Sequence, residues 1–328
     1  MRKLTMFLGT LCIGLALVGG PALAASDWPS KPVKVTIVFK PGGGMDQVLL
    51  PLKPMFEKKF GKSFLYTYKS GAGGRIGWEV MFANGADGYN IAGLSMPHFV
   101  NSTIFAKPKY KYTDLVPVGI QTGDVPIWFV RKDSPLKDMN DLIAEAKKRP
   151  GQVKMAIGSF TGEHSLTAFL LQDQAGIKFR IVNVKGGSKV MSNIVGGHFE
   201  VGVSRPASIL GIKDEIRGLG IVAAKRSPNY PDCKTFDEQL PASIKIPHLR
   251  QASGMLAHRS FKENDPEGFA KLAAAFKEAV HTEEYAKVMK RRGTELTYMG
   301  PDEAAAFIAK AHKQMQQYKG LVDAAKNK

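Results

Sequence analysis

A glycine run separates the first apolar strand pattern of this chain from its first helical pattern. Residues 33–39 form the strand pattern, Pro41-Gly42-Gly43-Gly44 follows, and the helical pattern starts at Asp46. Glycine carries no Cβ atom, so a ligand can approach the backbone closely there. The first N–H groups of a helix have no partner within the helix and carry partial positive charge. This arrangement predicts an anion-binding loop; the alternative is a glycine turn that only fits a tight strand–helix corner.

The motifs that would indicate an enzyme are incomplete. A dinucleotide fingerprint would need a glycine where Gln47 stands, and a P-loop ending in Gly61-Lys62-Ser63 would need one where Phe56 stands. Neither a Gly-x-Ser-x-Gly elbow nor a His-Glu-x-x-His pair occurs, and the 7 histidines are scattered. We therefore predict no catalytic residue, no metal site and no cofactor. A secreted α/β enzyme acting on an acidic substrate is the competing class.

The chain is strongly basic, with a formal charge of +17 from 46 Lys and Arg against 29 Asp and Glu. Such a field attracts anions and speeds their arrival. The basic residues fall mostly as clusters on helical stretches, as in Lys147-Lys148-Arg149, and no zinc-finger, RNA-binding or basic-zipper pattern occurs. We expect small anions rather than nucleic acid as ligands. A basic surface-binding protein is a third class.

The N-terminus has the pattern of an export signal. Arg2 and Lys3 precede an apolar stretch over residues 4–18, and Ala22-Leu23-Ala24 is a small-x-small cleavage site. We predict a signal peptide over residues 1–24, cleaved near Ala24; a retained N-terminal anchor is the alternative. Cys233 would be the only cysteine of the mature chain, which excludes an intramolecular disulfide.

The elements that must position the glycine loop alternate between strands and helices, which indicates an α/β fold with largely parallel sheets. About 300 mature residues exceed the usual size of one core, so two domains are expected. We predict one domain over residues 25–124 and 225–328 and a second over 125–224. The individual elements are strands over 33–39, 63–68, 90–94, 153–157, 179–184, 199–203 and 219–224, helices over 46–60, 75–82, 138–148 and 163–175, a crossing stretch over 116–130, and a largely helical C-terminal third with helix starts at Asp265, Thr282 and Gly300 and a last helix that runs to about Ala325.

Short motifs in a fixed order resemble those of a known receptor family. Trp28-Pro29-Ser30-Lys31-Pro32 is similar to the Tyr-Pro-x-Lys-Pro opening of the Bug/TctC family, the periplasmic solute-binding receptors of tripartite tricarboxylate transporters. The resemblance covers residues 28–319, and the shared order of the motifs makes it specific. The further motifs are Pro41-Gly42-Gly43-Gly44-Met45-Asp46, Ser70-Gly71-Ala72-Gly73-Gly74, Ala86-Asp87-Gly88-Tyr89, Tyr112-Thr113-Asp114-Leu115, Lys185-Gly186-Gly187-Ser188, Ala224-Lys225-Arg226-Ser227-Pro228 and Pro231-Asp232.

The resemblance implies a type II periplasmic binding protein-like fold, in which two α/β domains joined by a hinge close on a ligand in the cleft between them. Family members bind small organic acids, largely carboxylates, and present them to a membrane permease. A monomeric, non-catalytic periplasmic receptor is thus expected, with permease subunits of a tripartite tricarboxylate transporter as partners; a sensor protein is the alternative partner. Two loops typically hold one carboxylate through N–H groups and waters. Here they would be residues 39–46 and 158–164.

Individual site residues follow from these loops. Gly43, Gly44 and Met45 would offer N–H groups, while Asp46 would fix the loop rather than touch an anionic ligand. Ser95 would donate its hydroxyl or serve only the turn, and His164 would be a contact or a buried helix residue. The full predicted site comprises Phe39, Gly43, Gly44, Met45, Asp46, Ser95, Met96, Ser159, Phe160, Thr161, Gly162, His164, Gly186, Ser204 and Arg205.

Two departures from the family pattern bear on this site. Where family members often carry an Asp-Asn-like pair, this chain has Ser204-Arg205, and arginine can bind a carboxylate through two parallel hydrogen bonds. We hypothesise that Arg205 meets the far end of a ligand with more than one negative group; the alternative is an arginine that faces solvent or pairs with a nearby acid.

Pro51 and Pro54 fall in the first helix, which is therefore expected to kink or to restart after Leu52.

Overall fold

Two β-sheets and the helices packed on them organise residues 26–160 and 162–326, the part of the chain that the computed structural model describes. The predicted signal peptide and the predicted contact Thr161 lie outside these residues. The strands are β1 (Val33–Ile37), β2 (Phe64–Tyr68), β3 (Asn90–Met96), β4 (Leu115–Asp124), β5 (Ile127–Arg131), β6 (Lys154–Ile157), β7 (Arg180–Asn183), β8 (Val201–Ser204), β9 (Ile216–Ile221), β10 (Gln251–His258) and β11 (Leu296–Met299). The α-helices are α1 (Gly44–Leu49), α2 (Lys53–Phe60), α3 (Arg75–Ala83), α4 (His98–Phe105), α5 (Met139–Lys148), α6 (Glu163–Ala175), α7 (Gly187–Val195), α8 (Phe236–Gln239), α9 (Arg259–Asn264), α10 (Pro266–Val280), α11 (Glu283–Arg291), α12 (Pro301–Gln317) and α13 (Lys319–Lys326), with 3-10 turns at Leu50–Leu52, Ala72–Gly74, Tyr112–Asp114 and Ala207–Glu215.

Both sheets are mixed rather than largely parallel, so that part of the prediction is wrong, while the α/β class is confirmed. The first sheet has the order β11-β4-β10-β3-β1-β2, in which β10 runs antiparallel to β3 and β4. The second has the order β7-β6-β8-β5-β9, in which β5 runs antiparallel to β8 and β9. Parallel neighbours need a crossover connection. Instead, β5 enters the second sheet from the first, and β10 enters the first sheet from the second, so each strand can pair antiparallel with its neighbours.

The two sheets are joined at adjacent strands. β4 leaves the first sheet at Asp124 and continues through Val125 and Pro126 into β5. The chain returns to the first sheet at Gln251, the first residue of β10, which pairs with Asp124. The two crossings therefore lie side by side.

The segment before the return crossing packs on the second sheet. Ile221 forms a bridge with Thr235. The Gln239 side chain donates to the carbonyl of Leu219 at 3.0 Å and accepts from the N–H of Met139 at 3.0 Å. We therefore propose that the second domain continues to residue 249, beyond the boundary expected at residue 224.

The helix that follows the glycine loop is broken into α1, a 3-10 turn and α2. Pro51 and Pro54 each stand at the first positions of a new segment, where a missing N–H removes no helical hydrogen bond. The predicted restart after Leu52 is confirmed, because α2 begins at Lys53.

The helix starts with local signals are confirmed, whereas several other elements were not predicted from the sequence. Asp265 accepts from the N–H of Gly268 at 2.8 Å, and Thr282 accepts from the N–H of Tyr285 at 3.2 Å. The predicted single last helix is wrong, because α12 ends at Gln317 and α13 begins at Lys319. The helix α4 and the strand β10 are absent from the prediction, although β10 lies inside the first sheet.

Candidate ligand-binding cleft

A cleft of about 760 Å³ lies where loops from both sheets meet. The first sheet contributes the loops after β1 and β3 and the start of β10, and the second contributes the loops after β6, β7 and β8. The carboxyl ends of strands in open α/β sheets are the usual position of a ligand site. The fold therefore brings the glycine loop to the edge where binding is expected.

Most of the predicted site residues line this cleft. They come from elements far apart in sequence, and the loop over residues 39–46 faces the loop over residues 158–164 across it. The predicted residues that line the cleft are Phe39, Gly43, Gly44, Met45, Ser95, Ser159, Gly162, His164, Gly186, Ser204 and Arg205.

Three predicted residues lie behind the cleft wall. Met96 is fully buried in the hydrophobic core; it follows Ser95 in β3, and successive strand residues point to opposite faces. Phe160 packs against the core and stacks on Phe169, with ring centroids 6.4 Å apart. Asp46 is buried behind the glycine loop.

Asp46 holds the glycine loop in place. One carboxylate oxygen, Oδ2, accepts from the N–H of Gly42 at 2.8 Å, and the other, Oδ1, accepts from the hydroxyl of Tyr68 at 2.8 Å. Gly42 adopts φ +72°, a left-handed conformation that favours glycine. The loop is thus tied to β2 by a residue that makes no part of the cleft surface, as the sequence suggests.

Gly44 and Arg205 approach each other across the cleft. A Cβ atom on Gly44 would stand 3.0 Å from Nη2 of Arg205 and 3.8 Å from its Nη1. A Cβ atom at position 44 would require the guanidinium to shift by a few tenths of an ångström. A glycine of the first loop therefore permits the close position of a cation that the second sheet supplies.

The guanidinium of Arg205 makes no hydrogen bond or ion pair with any other group in residues 26–160 and 162–326. It lines the cleft and also a smaller cavity beside it, which Asp124 and Arg292 line as well. Arginine has five N–H donors and retains its charge at every physiological pH. The site therefore presents a half-buried cation with its donors available.

Three titratable groups face the same region from both sheets. Burial lowers the pKa of His98, and burial together with the charge of Arg205 lowers the pKa of His164 to about 3. Both imidazoles are therefore neutral at neutral pH. Burial raises the pKa of Glu163, against the opposing effects of His98 and Arg205. Arg205 is thus the principal fixed cation among these groups.

Asp124 lies at the first crossing between the sheets. Burial raises the pKa of its carboxyl to about 6, against the effects of Arg205 and of the hydrogen bond from the N–H of Val125 at 2.9 Å. The hinge region therefore contains a carboxyl that titrates near neutral pH.

Sequence reasoning missed part of the cleft lining. A rule that collects polar residues at the carboxyl ends of strands would have found some of these residues. It would not have found those of β10, because that strand is absent from the prediction. The main additional residues are His98, Glu163, Asn183, Lys185, Gln251 and Ser253.

A second groove of about 690 Å³ lies on the second sheet away from the cleft. Five of its charged side chains are already paired with one another, since Arg149 contacts Glu145 at 2.6 Å and Glu200 at 2.7 Å, and Arg131 contacts Asp133 at 2.6 Å. Exposed pairs of this kind contribute little energy. The cleft between the sheets, which holds the unpaired Arg205, is the stronger candidate.

Within the described part of the chain, no helix has the length and apolar character needed to cross a membrane. No cluster of three or more His, Cys, Asp or Glu suited to a metal ion occurs among the same residues.

Two mixed α/β sheets joined by adjacent crossings, with a polar cleft between them, define a two-domain solute-binding protein. The family model described as "Tripartite tricarboxylate transporter family receptor" matches residues 52–324. This chain therefore belongs to that family of periplasmic binding proteins, whose members are solute-binding receptors rather than enzymes.

A relative of similar length and two solved structures of the same fold are similar to this chain. The protein BugT of Bordetella pertussis is 27% identical over 327 residues, which cover 98% of this chain and 97% of BugT. MatC of Rhodopseudomonas palustris with bound malate has a TM-score of 0.75 at 19% identity, covering 90% of this chain and 100% of MatC. Rpa4515 of R. palustris with adipate also has a TM-score of 0.75 at 19% identity, covering 90% and 99% of the two chains.

Proposed function

We propose that the protein captures a small organic anion, a carboxylate, in the cleft and delivers it to the membrane subunits of a tripartite tricarboxylate transporter. The observation that carries this proposal is the guanidinium of Arg205, which lines the cleft beside Gly44 without a partner in the described residues. A cation left without a partner in a half-buried cleft is suited to an anion that arrives from solution.

Binding would divide between the two halves of the molecule. Arg205 and the second loop, from the second sheet, would hold one carboxylate group through charged hydrogen bonds. The N–H groups of Gly43, Gly44 and Met45 would approach from the first sheet, directly or through ordered waters. A ligand that contacts both halves stabilises the closed arrangement of the domains, with the adjacent crossings at Asp124 and Gln251 as the hinge.

Dicarboxylates are the first compounds to test. Malate and adipate, the compounds in the structures of MatC and Rpa4515, both carry two carboxylates. Arg205 and Lys185 both line the cleft of this protein, and two cations suit two negative groups.

Thermal unfolding against a panel of acids tests the proposal. The purified protein is unfolded and refolded to remove carried ligand, then heated with mono-, di- and tricarboxylates and with their neutral amides. A ligand at 100 times its Kd stabilises the fold by about 2.7 kcal/mol, which shifts the midpoint measurably. A shift with an acid and none with its amide supports the proposal. Shifts with polyanions alone contradict it, and conversion of a bound acid would indicate the competing enzyme class.

A further inference from the structure

The first residue of α6 places an unusual carboxyl in the cleft. Glu163 lines the cleft, yet only 1% of its surface is exposed. Its Oε1 lies 3.2 Å from Nε2 of His164, which makes no hydrogen bond, and its Oε2 likewise has no hydrogen-bond partner in residues 26–160 and 162–326. Buried polar atoms nearly always have a partner, so each exception requires an explanation.

Local structure does not supply that explanation. The cap of α6 is Gly162, which makes no side-chain cap. The Glu163 carboxyl accepts a hydrogen bond from its own backbone N–H and lies in the first turn of α6, where a negative charge is favourable, but it does not tie the loop to another strand in the way Asp46 ties the first one. A buried carboxyl with an unsatisfied oxygen destabilises the fold relative to an apolar side chain of similar size. These local contacts leave Oε2 of Glu163 without a hydrogen-bond partner in the described residues.

The surroundings of Glu163 favour a ligand group as the missing partner. The nearby titratable side chains are His98 from the first sheet and His164 and Arg205 from the second, and burial lowers the pKa of both histidines. In the described residues, the guanidinium of Arg205 forms no ion pair with the carboxyl of Glu163. The cleft thus offers a cation for a carboxylate and, separately, an acceptor oxygen for a donor.

We propose that the ligand carries a hydrogen-bond donor, a hydroxyl or an ammonium group, in addition to its carboxylate, and that Oε2 of Glu163 accepts from it. This inference rests on the proposed function, because it assigns the carboxylate to Arg205. Glu163 is then the residue that distinguishes hydroxy and amino acids from plain acids. Removing one partner of such a buried bond leaves the other unsatisfied, which makes the discrimination strong.

Matched trios of acids test the inference. Succinate, malate and aspartate share one carbon skeleton and carry hydrogen, hydroxyl or ammonium at the same carbon; propionate, lactate and alanine, and the three corresponding phenylpropanoic acids, cover other sizes. Titration calorimetry of the wild-type protein should show, in at least one trio, a Kd about 10- to 100-fold lower for a donor-bearing acid than for the plain acid. Comparison of the hydroxy acid with the amino acid of each trio shows which donor the protein recognises.

Variants at position 163 then assign the preference to this side chain. In Glu163→Ala the Kd values of the donor-bearing acid and the plain acid should differ by no more than about twofold, and the plain acid should still bind. Glu163→Gln, which keeps an acceptor oxygen and the volume of the side chain, should keep a hydroxyl preference and lose an ammonium preference. Glu283→Ala is the control, because Glu283 also opens a helix but its side chain is 89% exposed.

The outcomes separate the inference from the proposed function. Acids that bind without any donor preference, or a preference that survives in Glu163→Ala and Glu163→Gln alike, overturn the inference and leave the carboxylate receptor intact. Failure of every acid to bind the wild-type protein contradicts both.

Discussion

Nη2 of Arg205 lies 3.0 Å from the position that a Cβ atom on Gly44 would occupy. The two residues follow strands of different sheets: Gly44 is the first residue of α1, after β1, and Arg205 directly follows β8. Their approach joins the glycine loop to the principal cation of the cleft. The glycine at position 44 therefore allows the guanidinium to come closer than an alanine there would, and it leaves the backbone accessible.

Gly44→Ala should weaken acid binding without unfolding the protein. The added methyl group would push the guanidinium away from the position that it occupies, so we expect a loss of affinity of roughly tenfold. Gly211→Ala is the matched control, because a Cβ atom there meets nothing within 4 Å. Titration calorimetry measures both Kd values, and an unchanged Kd in Gly44→Ala would remove the functional meaning of this contact.

Arg205→Ala should lower the affinity for carboxylates by about 10- to 100-fold, the range for a charged hydrogen bond. The affinity of Arg205→Lys should lie between those of the wild-type protein and Arg205→Ala, since lysine keeps the charge but not the paired donors. Arg180→Ala is the control, because Arg180 is exposed at the opposite end of β7 from Asn183, which lines the cleft. Equal affinities of the wild-type protein and Arg205→Ala for every acid would exclude a ligand role for Arg205.

Asp46→Ala should destabilise the fold by about 1–3 kcal/mol, because it removes the hydrogen bonds from Gly42 and Tyr68 and leaves the loop N–H unsatisfied. Tyr68→Phe, which removes one of the two bonds, should have the smaller effect. Urea unfolding measures both. If Asp46→Ala matches the wild-type protein in stability, the carboxylate does not hold the loop.

The carboxyl of Asp124 should make stability depend on pH in a defined window. Its pKa is raised from 3.8 to about 6 in the folded protein, so between these values the folded state retains a proton that the unfolded state has lost. Stability attributable to this group therefore falls as pH rises from about 4 to about 6 and stays lower above that range, by at most about 3 kcal/mol.

Asp124→Asn removes this dependence and keeps an acceptor for the N–H of Val125. The unfolding free energy of Asp124→Asn relative to the wild-type protein should rise across this window and then level off. Asp302→Asn, at a side chain that is 97% exposed, should show no such rise. Parallel curves for Asp124→Asn and the wild-type protein would contradict the raised pKa.

Local signals made much of the fold predictable. The helix over residues 163–175 has the predicted bounds, and Asp138 caps α5 by accepting from the N–H groups of Asn140 and Asp141. The positions of glycine and proline likewise predicted the loop at Gly42 and the restart of the helix at Lys53. These features depend on neighbours in the sequence, which a pattern can capture.

Features that depend on residues distant in the sequence were not predicted. β10 contains Gly254, where a Cβ atom would lie 2.1 Å from the carbonyl oxygen of Gly119 in β4. The residues next to Gly254 in the sequence do not indicate this close packing of the two strands. The positions of Arg205 beside Gly44 and of Glu163 without a partner also arise only when the two sheets meet. The glycine loop and Arg205 were therefore predictable as site residues, whereas the approach of Arg205 to Gly44 and the unpartnered carboxyl of Glu163 became visible only in the structure.

Titration calorimetry with the acid that gives the largest thermal shift, and with its neutral amide, tests the central claim most directly. The titrations are made at about 0.05 M and about 0.5 M salt, because salt screens exposed charges more than partly buried ones. We predict one acid bound per chain, modest salt dependence and no binding of the amide. Several acids per chain with affinity lost at high salt, or equal binding of the amide, would contradict it.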